Sequence, residues 1–284
     1  MKLKQEDFIN LRTTIQQLSG ISLGDEKKYL VEQRLGPIVK EFGCKSFSDL
    51  YTLLGQNMNN QLQDRVIEAI TTNETFFFRD ENLFNSFRKI ILPQLDAELK
   101  QRKGKAGLIV PAKINIWCAA TSTGQEPYSL AMLLYEFCEN SSNNFNDYNI
   151  FCTDISDESL SRAKKGEYGE HELERGLDNL RKEKFFKKKG ESNWVINPEL
   201  KKIIEFRKMN LCKPFQNIGN YDIIFCRNVL IYFDIPTKIE VVEKLHERLH
   251  KGGWLILGAS ESLYCISEKF NRVSDSLTIL YRKE

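Results

Sequence analysis

The segment Ile114-Asn-Ile-Trp-Cys118 constrains this chain more than any other. It is a short apolar run, followed by the small residues Ala119-Ala-Thr-Ser-Thr-Gly124 and then by Pro127, whose missing N–H is harmless in a first helical turn. A strand that passes through a tight small-residue loop into a helix opens a parallel sheet. The rhythm then repeats. Tyr148-Asn-Ile-Phe-Cys152 reads as a second strand, Ser156 as the cap of a helix stopping at Gly166, and Asp222-Ile-Ile-Phe-Cys226 as a further strand. Residues 239–249 read as a helix ended by Gly252-Gly253, with late strands at 254–257 and 277–281. Strands alternating with helices predict an α/β fold, a mostly parallel, doubly wound sheet over 111–284. Within it, Phe185-Phe186, Trp194-Val-Ile196 and Ile203-Ile-Glu-Phe206 stand between turn signals and predict a small antiparallel insertion over about 181–208.

Upstream the period changes to that of helices. Phe8, Leu11, Ile15 and Leu18 share one face; so do Val31, Leu35, Ile38 and Phe42, and again Leu62, Val66 and Ile70. Ser46 followed by Asp49 predicts a helix start before Phe47, Leu50 and Leu54. Residues 1–80 therefore read as a small helical domain. Residues 81–110 read as a linker, a helix over 82–103 kinked or broken at Pro93 and then a flexible Lys103-Gly-Lys-Ala-Gly107 connection. Two domains also suit 284 residues.

The 41 basic and 39 acidic residues leave a net charge of +2, with no global pull toward nucleic acid or anionic lipid. That balance averages unlike parts. Residues 161–210 carry 14 Lys/Arg against 9 Asp/Glu, and residues 1–85 carry 10 against 12. Attraction to an acidic partner must come from a local face, such as that around Lys27, Lys28 and Arg34. No apolar run approaches the ~18 residues of a membrane span, and no hydrophobic region follows Lys2 and Lys4, so neither a membrane helix nor a secretory signal is expected. The seven scattered cysteines contain no C-x-x-C and read as reduced thiols of a cytoplasmic protein. Three histidines speak against a metal site and against Ser/His or Cys/His catalysis.

The polar residues cluster where strands end. The 119–126 loop holds Glu126 but only one glycine, so a dinucleotide pyrophosphate site is poorly supported. Asp154 closes the second strand, where a carboxylate can accept from both ribose hydroxyls; otherwise it is a helix cap. Asn210-Leu211 and Arg227-Asn228, with Tyr232 beyond, follow two further strands. In a doubly wound sheet these loops share one edge, which suits a nucleoside cofactor without pyrophosphate, S-adenosylmethionine. At the domain junction, Thr71-Thr-Asn73-Glu-Thr75-Phe-Phe-Phe78-Arg79-Asp80 interleaves Asn73, Thr75 and Arg79 with three phenylalanines, which themselves suit an interdomain core. A guanidinium beside apolar rings can hold a carboxylate.

Together these stretches resemble the CheR family of chemotaxis receptor glutamate methyltransferases, over nearly the whole chain. The junction is similar to T-T-N-x-T-x-F-F-R, Ser122-Thr-Gly-Gln-Glu126-Pro-Tyr128-Ser-Leu-Ala to S-T-G-E-E-P-Y-S-I-A, Thr153-Asp154-Ile to S/T-D-I, and Phe225-Cys-Arg-Asn228-Val-Leu-Ile-Tyr232-Phe to F-C-R-N-V-x-I-Y-F. The resemblance implies a class I S-adenosylmethionine-dependent methyltransferase domain behind the helical one. It implies cofactor contacts at Asn73, Thr75, Arg79, Glu126, Asp154, Asn210, Leu211, Arg227 and Asn228, and roles for Arg79 and Tyr232 near the reacting groups. It further implies methyl esters on glutamates of a chemoreceptor's cytoplasmic helical domain, S-adenosylhomocysteine as product, and recruitment to membrane receptor arrays. In part of the family the inserted β-subdomain captures a receptor C-terminal peptide, for which the basic hairpin at Lys187-Lys188-Lys189-Gly190 is the matching place. A monomer is expected. In the family the second helix is basic and faces the receptor; here Gly36-Pro37 departs from that pattern, and Pro37 is expected to kink the helix or begin one. Two other readings are a methyltransferase for a different acceptor and a non-catalytic cofactor sensor. Against the first, no Asp/Asn-Pro-Pro-Tyr/Phe motif of amino-methylating DNA enzymes is present.

Overall fold

Four helices open the chain, α1 (Gln5–Ser19), α2 (Lys28–Glu41), α3 (Phe47–Gly55) and α4 (Asn60–Ile70). The computed structural model describes residues 2–56, 60–105, 111–275 and 278–284. The expected stripes meet in one core, Phe8, Leu11 and Ile15 against Val31, Leu35, Leu50, Leu62, Val66 and Ile70. Ser46 caps α3, its hydroxyl accepting the Asp49 N–H at 3.1 Å. α2 passes through Pro37 without a break, so no helix starts there; Pro37 is exposed and withholds only one N–H from the ladder.

A short helix, α5 (Glu81–Ser86), and α6 (Leu92–Lys103) are joined by a π turn at Phe87–Ile91. The break expected at Pro93 takes this form. A proline cannot donate to the carbonyl four residues back, and one wider turn just upstream lets the helix continue. Phe84, Phe87, Ile91, Leu95 and Leu99 face the core of the sheet. Of the expected flexible connection, Ala106 and Gly107 lie outside the described residues.

The sheet follows from β1 (Ile114–Ala119), α7 (Gln125–Cys138), β2 (Tyr148–Asp154) and α8 (Asp157–Lys165), capped by Ser156 and closed by Gly166 in the left-handed conformation. α7 begins two residues before Pro127, after Gly124. Next come β3 (Glu167–Gly169), α9 (Glu170–Glu174), α10 (Asn179–Phe185), β4 (Phe186–Lys189), β5 (Asn193–Ile196), α11 (Pro198–Lys201) and β6 (Ile204–Lys208). β7 (Tyr221–Cys226), α12 (Ile235–Glu247), β8 (Leu249–Leu257), β9 (Phe270–Asp275) and β10 (Thr278–Lys283) complete the chain. The large sheet has the order β6-β2-β1-β7-β8-β10-β9, parallel through β8 and antiparallel at β10 and β9. Strand alternation feeds two cores. Ile114, Ile116 and Cys118 join α6 and α7 on one face; Trp117 and Ala119 join α12 on the other.

Two expectations are corrected. The insertion is not 181–208: its three-stranded sheet, β3-β5-β4, begins at Glu167, while β6, including Ile204 and Phe206, pairs in parallel with β2 at the edge of the large sheet. The apolar pattern of β6 marks a strand but not its partner, which lies 54 residues upstream, Ile204 pairing with Ile150. Gly252-Gly253 does not end a helix. Asp234 caps α12, which ends at Glu247, and the glycines sit inside β8 at a register shift against Tyr221 and Ile223. A Cβ on Gly253 would stand 2.9 Å from the His250 carbonyl oxygen and 3.0 Å from that of Asp222, so the irregular strand needs the bare backbone.

The insertion is tied to the domain junction. Gly176 has φ +95°, and a Cβ there would stand 2.0 Å from the Phe77 carbonyl oxygen. Backbone cannot swing away as a side-chain tip can. Gly176→Ala is expected to cost about 2 kcal/mol or more, measured by denaturant unfolding.

Candidate active site

β1, β2, β6 and β7 run parallel, so their four following loops meet at one sheet edge. The junction 71–79 and the end of α1 close over them. The resulting cavity is lined by every residue expected at the cofactor or the reacting groups: Asn73, Thr75, Arg79, Glu126, Asp154, Asn210, Leu211, Arg227, Asn228 and Tyr232. None of the three histidines lines it.

Asp154 ends β2 and is almost fully buried. One carboxylate oxygen accepts the Ser122 N–H at 2.7 Å and the other the Ser156 N–H at 3.0 Å. Burial pushes its pKa above the ordinary aspartate value against the pull of these N–H groups, and the charge of Glu68 adds to the rise. Each oxygen keeps a further lone pair for a hydroxyl.

Arg227 leaves β7 and pairs inside the protein through its two terminal nitrogens, its buried Nε having no hydrogen-bond partner among the described residues. It donates to Glu126 at 2.7 Å, to the Arg79 carbonyl oxygen at 2.7 Å, and to the Asp80 carboxylate. This buried pairing explains why arginine can follow an apolar strand. Arg79 differs. Its guanidinium reaches the Glu74 carbonyl oxygen at 3.0 Å and the Phe76 ring at 5.7 Å, and among the described residues no carboxylate lies within ion-pair distance. The backbone is left-handed on both sides, φ +51° at Phe78 and +68° at Asp80. A left-handed phenylalanine is strained. The double turn buries Phe77 and Phe78 while leaving Arg79 on the cavity wall. The Phe78 N–H is held by the Ser129 hydroxyl at 3.0 Å.

Asn210 is largely occupied. Its amide donates to the Leu18 carbonyl oxygen at 2.7 Å and its Oδ1 accepts the Cys212 N–H at 2.9 Å, so it also holds α1 in place. Leu211 adds an apolar wall. Tyr232 ends a 3-10 turn; its carbonyl oxygen accepts the Ser22 N–H at 2.8 Å, next to a bridge between Ile21 and Phe233.

Sequence reasoning missed three contributors. Ser122 lines the cavity, has φ +51°, and donates its hydroxyl to the Asn73 carbonyl oxygen at 2.8 Å. Glu68 reaches from α4 to the Ser156 hydroxyl at 2.6 Å and the Glu158 N–H at 3.1 Å, joining the helical domain to the start of α8. Glu261 receives backbone N–H groups from the loop after β7. Its only local signal is a polar Ser-Glu pair soon after an apolar strand.

Comparison with known proteins agrees with this geometry. Residues 73–279 match the CheR methyltransferase SAM-binding domain, and residues 6–71 match the CheR methyltransferase all-alpha domain. The chain is 36% identical over 283 residues to chemotaxis protein methyltransferase 1 of Pseudomonas aeruginosa, covering 99% of both. It is 36% identical over 280 residues to chemotaxis protein methyltransferase 1 of Vibrio cholerae, covering 99% of this chain and 98% of that one. It is 33% identical over 275 residues to the chemotaxis protein methyltransferase of Borreliella burgdorferi, covering 93% and 94%. With both of its domains matched in order, the chain belongs to the CheR family of methyltransferases.

Proposed function

We propose that this protein transfers a methyl group from S-adenosylmethionine to glutamate side chains of chemoreceptors, forming methyl esters. The observation that carries the proposal is Arg79, a guanidinium without an ion-paired carboxylate among the described residues, lining the same cavity as the buried carboxylate of Asp154. The cavity fits the cofactor. Asp154 would hold the ribose hydroxyls, Ile155 and Leu211 would flank the base, and Asn73, Thr75, Glu126, Arg227 and Asn228 would surround the remaining polar groups. Bound there, the cofactor supplies an electrophilic methyl group on a sulfonium.

The protein's own task is positioning. A glutamate with pKa ~4.3 arrives ionised at neutral pH, so no general base is needed, in keeping with a cavity without histidine. Arg79 would orient the arriving carboxylate, and Tyr232 would bound its approach. Ile21, Val229 and Phe233 give the cavity apolar walls that would keep water from the reacting groups. Orientation of this kind is worth several kcal/mol of barrier.

We place the domain limits near residues 80 and 110 and the enzyme in the cytoplasm as a monomer, brought to receptor arrays by its substrate. Among the described residues no helix is long and apolar enough to cross a membrane. The acceptor is the helical cytoplasmic part of the receptor. Lys27 and Lys40, exposed on and beside α2, support docking there. Arg34 does not share that role, because it donates to the carbonyl oxygens of Ala69, Ile70 and Thr71 and closes α4. In the small sheet β4 is an edge strand with exposed Lys187, Lys188 and Lys189, a place where an acidic receptor peptide can add a strand.

Incubation of receptor with methyl-labelled cofactor tests the reaction class: label should leave the receptor as methanol in mild base, and base-stable label would overturn the ester. A pH dependence follows from Asp154. Its ionised form accepts the hydroxyls and its folded pKa is raised, so cofactor affinity should fall on acidification at a higher pH than an ordinary aspartate would allow. Calorimetry with S-adenosylhomocysteine over a descending pH series checks this.

A further inference from the structure

We propose that Glu261 is a positioning residue of the transfer site, fixing the 228–232 loop and acting through Asn228 and Tyr232; this rests on the cavity being that site. Its carboxylate receives four backbone N–H groups. Oε2 accepts from Asn228 at 2.7 Å and Gly258 at 2.8 Å, and Oε1 from Val229 at 3.0 Å and Ile231 at 3.3 Å. Glu261 is 9% exposed. Three of the four donors belong to one irregular loop, which has left the sheet at Cys226 and has no strand to bond with. Backbone donors in such a place need an acceptor, and a carboxylate can take two on each oxygen.

What the loop carries makes this more than support. Asn228 is held at φ +56°, a conformation that costs energy unless its surroundings enforce it. The Asn228 N–H that fixes this turn ends on Glu261. Tyr232 lies between two anchors, the Glu261 carboxylate on the Ile231 N–H and the Ser22 N–H on its own carbonyl oxygen. Gly258 completes the fit. A Cβ there would stand 2.7 Å from Asn228 Nδ2 and 2.8 Å from Glu261 Oε2, so glycine lets carboxylate and loop approach each other. Glutamine cannot replace the acid. Whichever way its amide turns, an NH2 group faces two of the four N–H donors.

The test compares the full chain with Glu261→Gln, Glu261→Asp and Gly258→Ala. S-adenosylhomocysteine affinity is read by calorimetry, kcat at saturating cofactor and receptor, and folded fraction by circular dichroism. Glu261→Gln should lower kcat about 10- to 100-fold and weaken the product's binding while the protein stays folded at assay temperature. Gly258→Ala should repeat that pattern with the carboxylate intact, and Glu261→Asp should recover part of the loss. Should Glu261→Gln not fold, Gly258→Ala decides in the same terms. A folded Glu261→Gln within about twofold of the parent in both readouts overturns the proposal, as does a loss that only tracks the folded fraction. Product affinity is independent of the acceptor. If the parent binds product but methylates no receptor, the transfer reading falls, and product affinity alone judges Glu261.

Discussion

Arg79→Ala should slow methyl transfer about 100-fold or more at saturating cofactor. The expectation rests on how little else Arg79 does. Among the described residues its guanidinium makes one hydrogen bond, to the Glu74 carbonyl oxygen, and approaches one ring, so its removal should cost under about 1 kcal/mol of stability. Arg227 is the contrast: truncating it would strand the buried Glu126 and loosen Asp80, confusing folding with catalysis. The check is single-turnover transfer with cofactor raised well above its dissociation constant. If excess cofactor restored the full rate, Arg79 would be a binding residue and not one that orients the acceptor. Lysine at this position should restore only part of the rate, because it supplies charge without the planar fork.

Asp154→Ala should abolish measurable cofactor binding. Hydrogen bonds to a charged group are worth about 1.5–3 kcal/mol each, so losing two hydroxyl contacts corresponds to roughly 100- to 10,000-fold in affinity. The same change orphans the Ser122 and Ser156 N–H groups, one in the loop after β1 and one at the cap of α8. Asp154→Asn separates these effects. It keeps the side chain's shape and one acceptor oxygen, so only one of the two N–H groups loses its acceptor; the variant should stay folded, lose affinity, and lose the acid sensitivity of the parent. Calorimetry on both variants decides, and parent-like affinity in Asp154→Ala would remove Asp154 from the ribose site.

Much of this was legible in the sequence because it is local. The alternation from Ile114 onward, the Ser46 and Ser156 caps and the left-handed Gly166 depend on neighbours within a few residues, and they appear as expected. The cavity residues were legible for a related reason: parallel strands bring their following loops to one edge whatever lies between. Long-range partnerships were not legible. β6 has a strand's pattern, but only pairing with β2 takes it out of the insertion. Gly252-Gly253 has a helix-stop signature yet relieves a crowded bulge. Arg34 looked like a docking charge until the carbonyl ends of α4 claimed it, and Glu68 and Glu261 act across 88 and about thirty residues of chain. A buried carboxylate is recognised by what surrounds it, and its surroundings come from distant sequence.

The most direct test is mass spectrometry of receptor cytoplasmic domains after incubation with the protein and S-adenosylmethionine. Peptides from the helical domain should gain single methyl groups on glutamate side chains, lose them in mild base, and gain none with the Arg79→Ala variant. Methylation confined to lysine or to other acceptors, or an unmodified receptor beside a protein shown to bind the cofactor, would contradict the account.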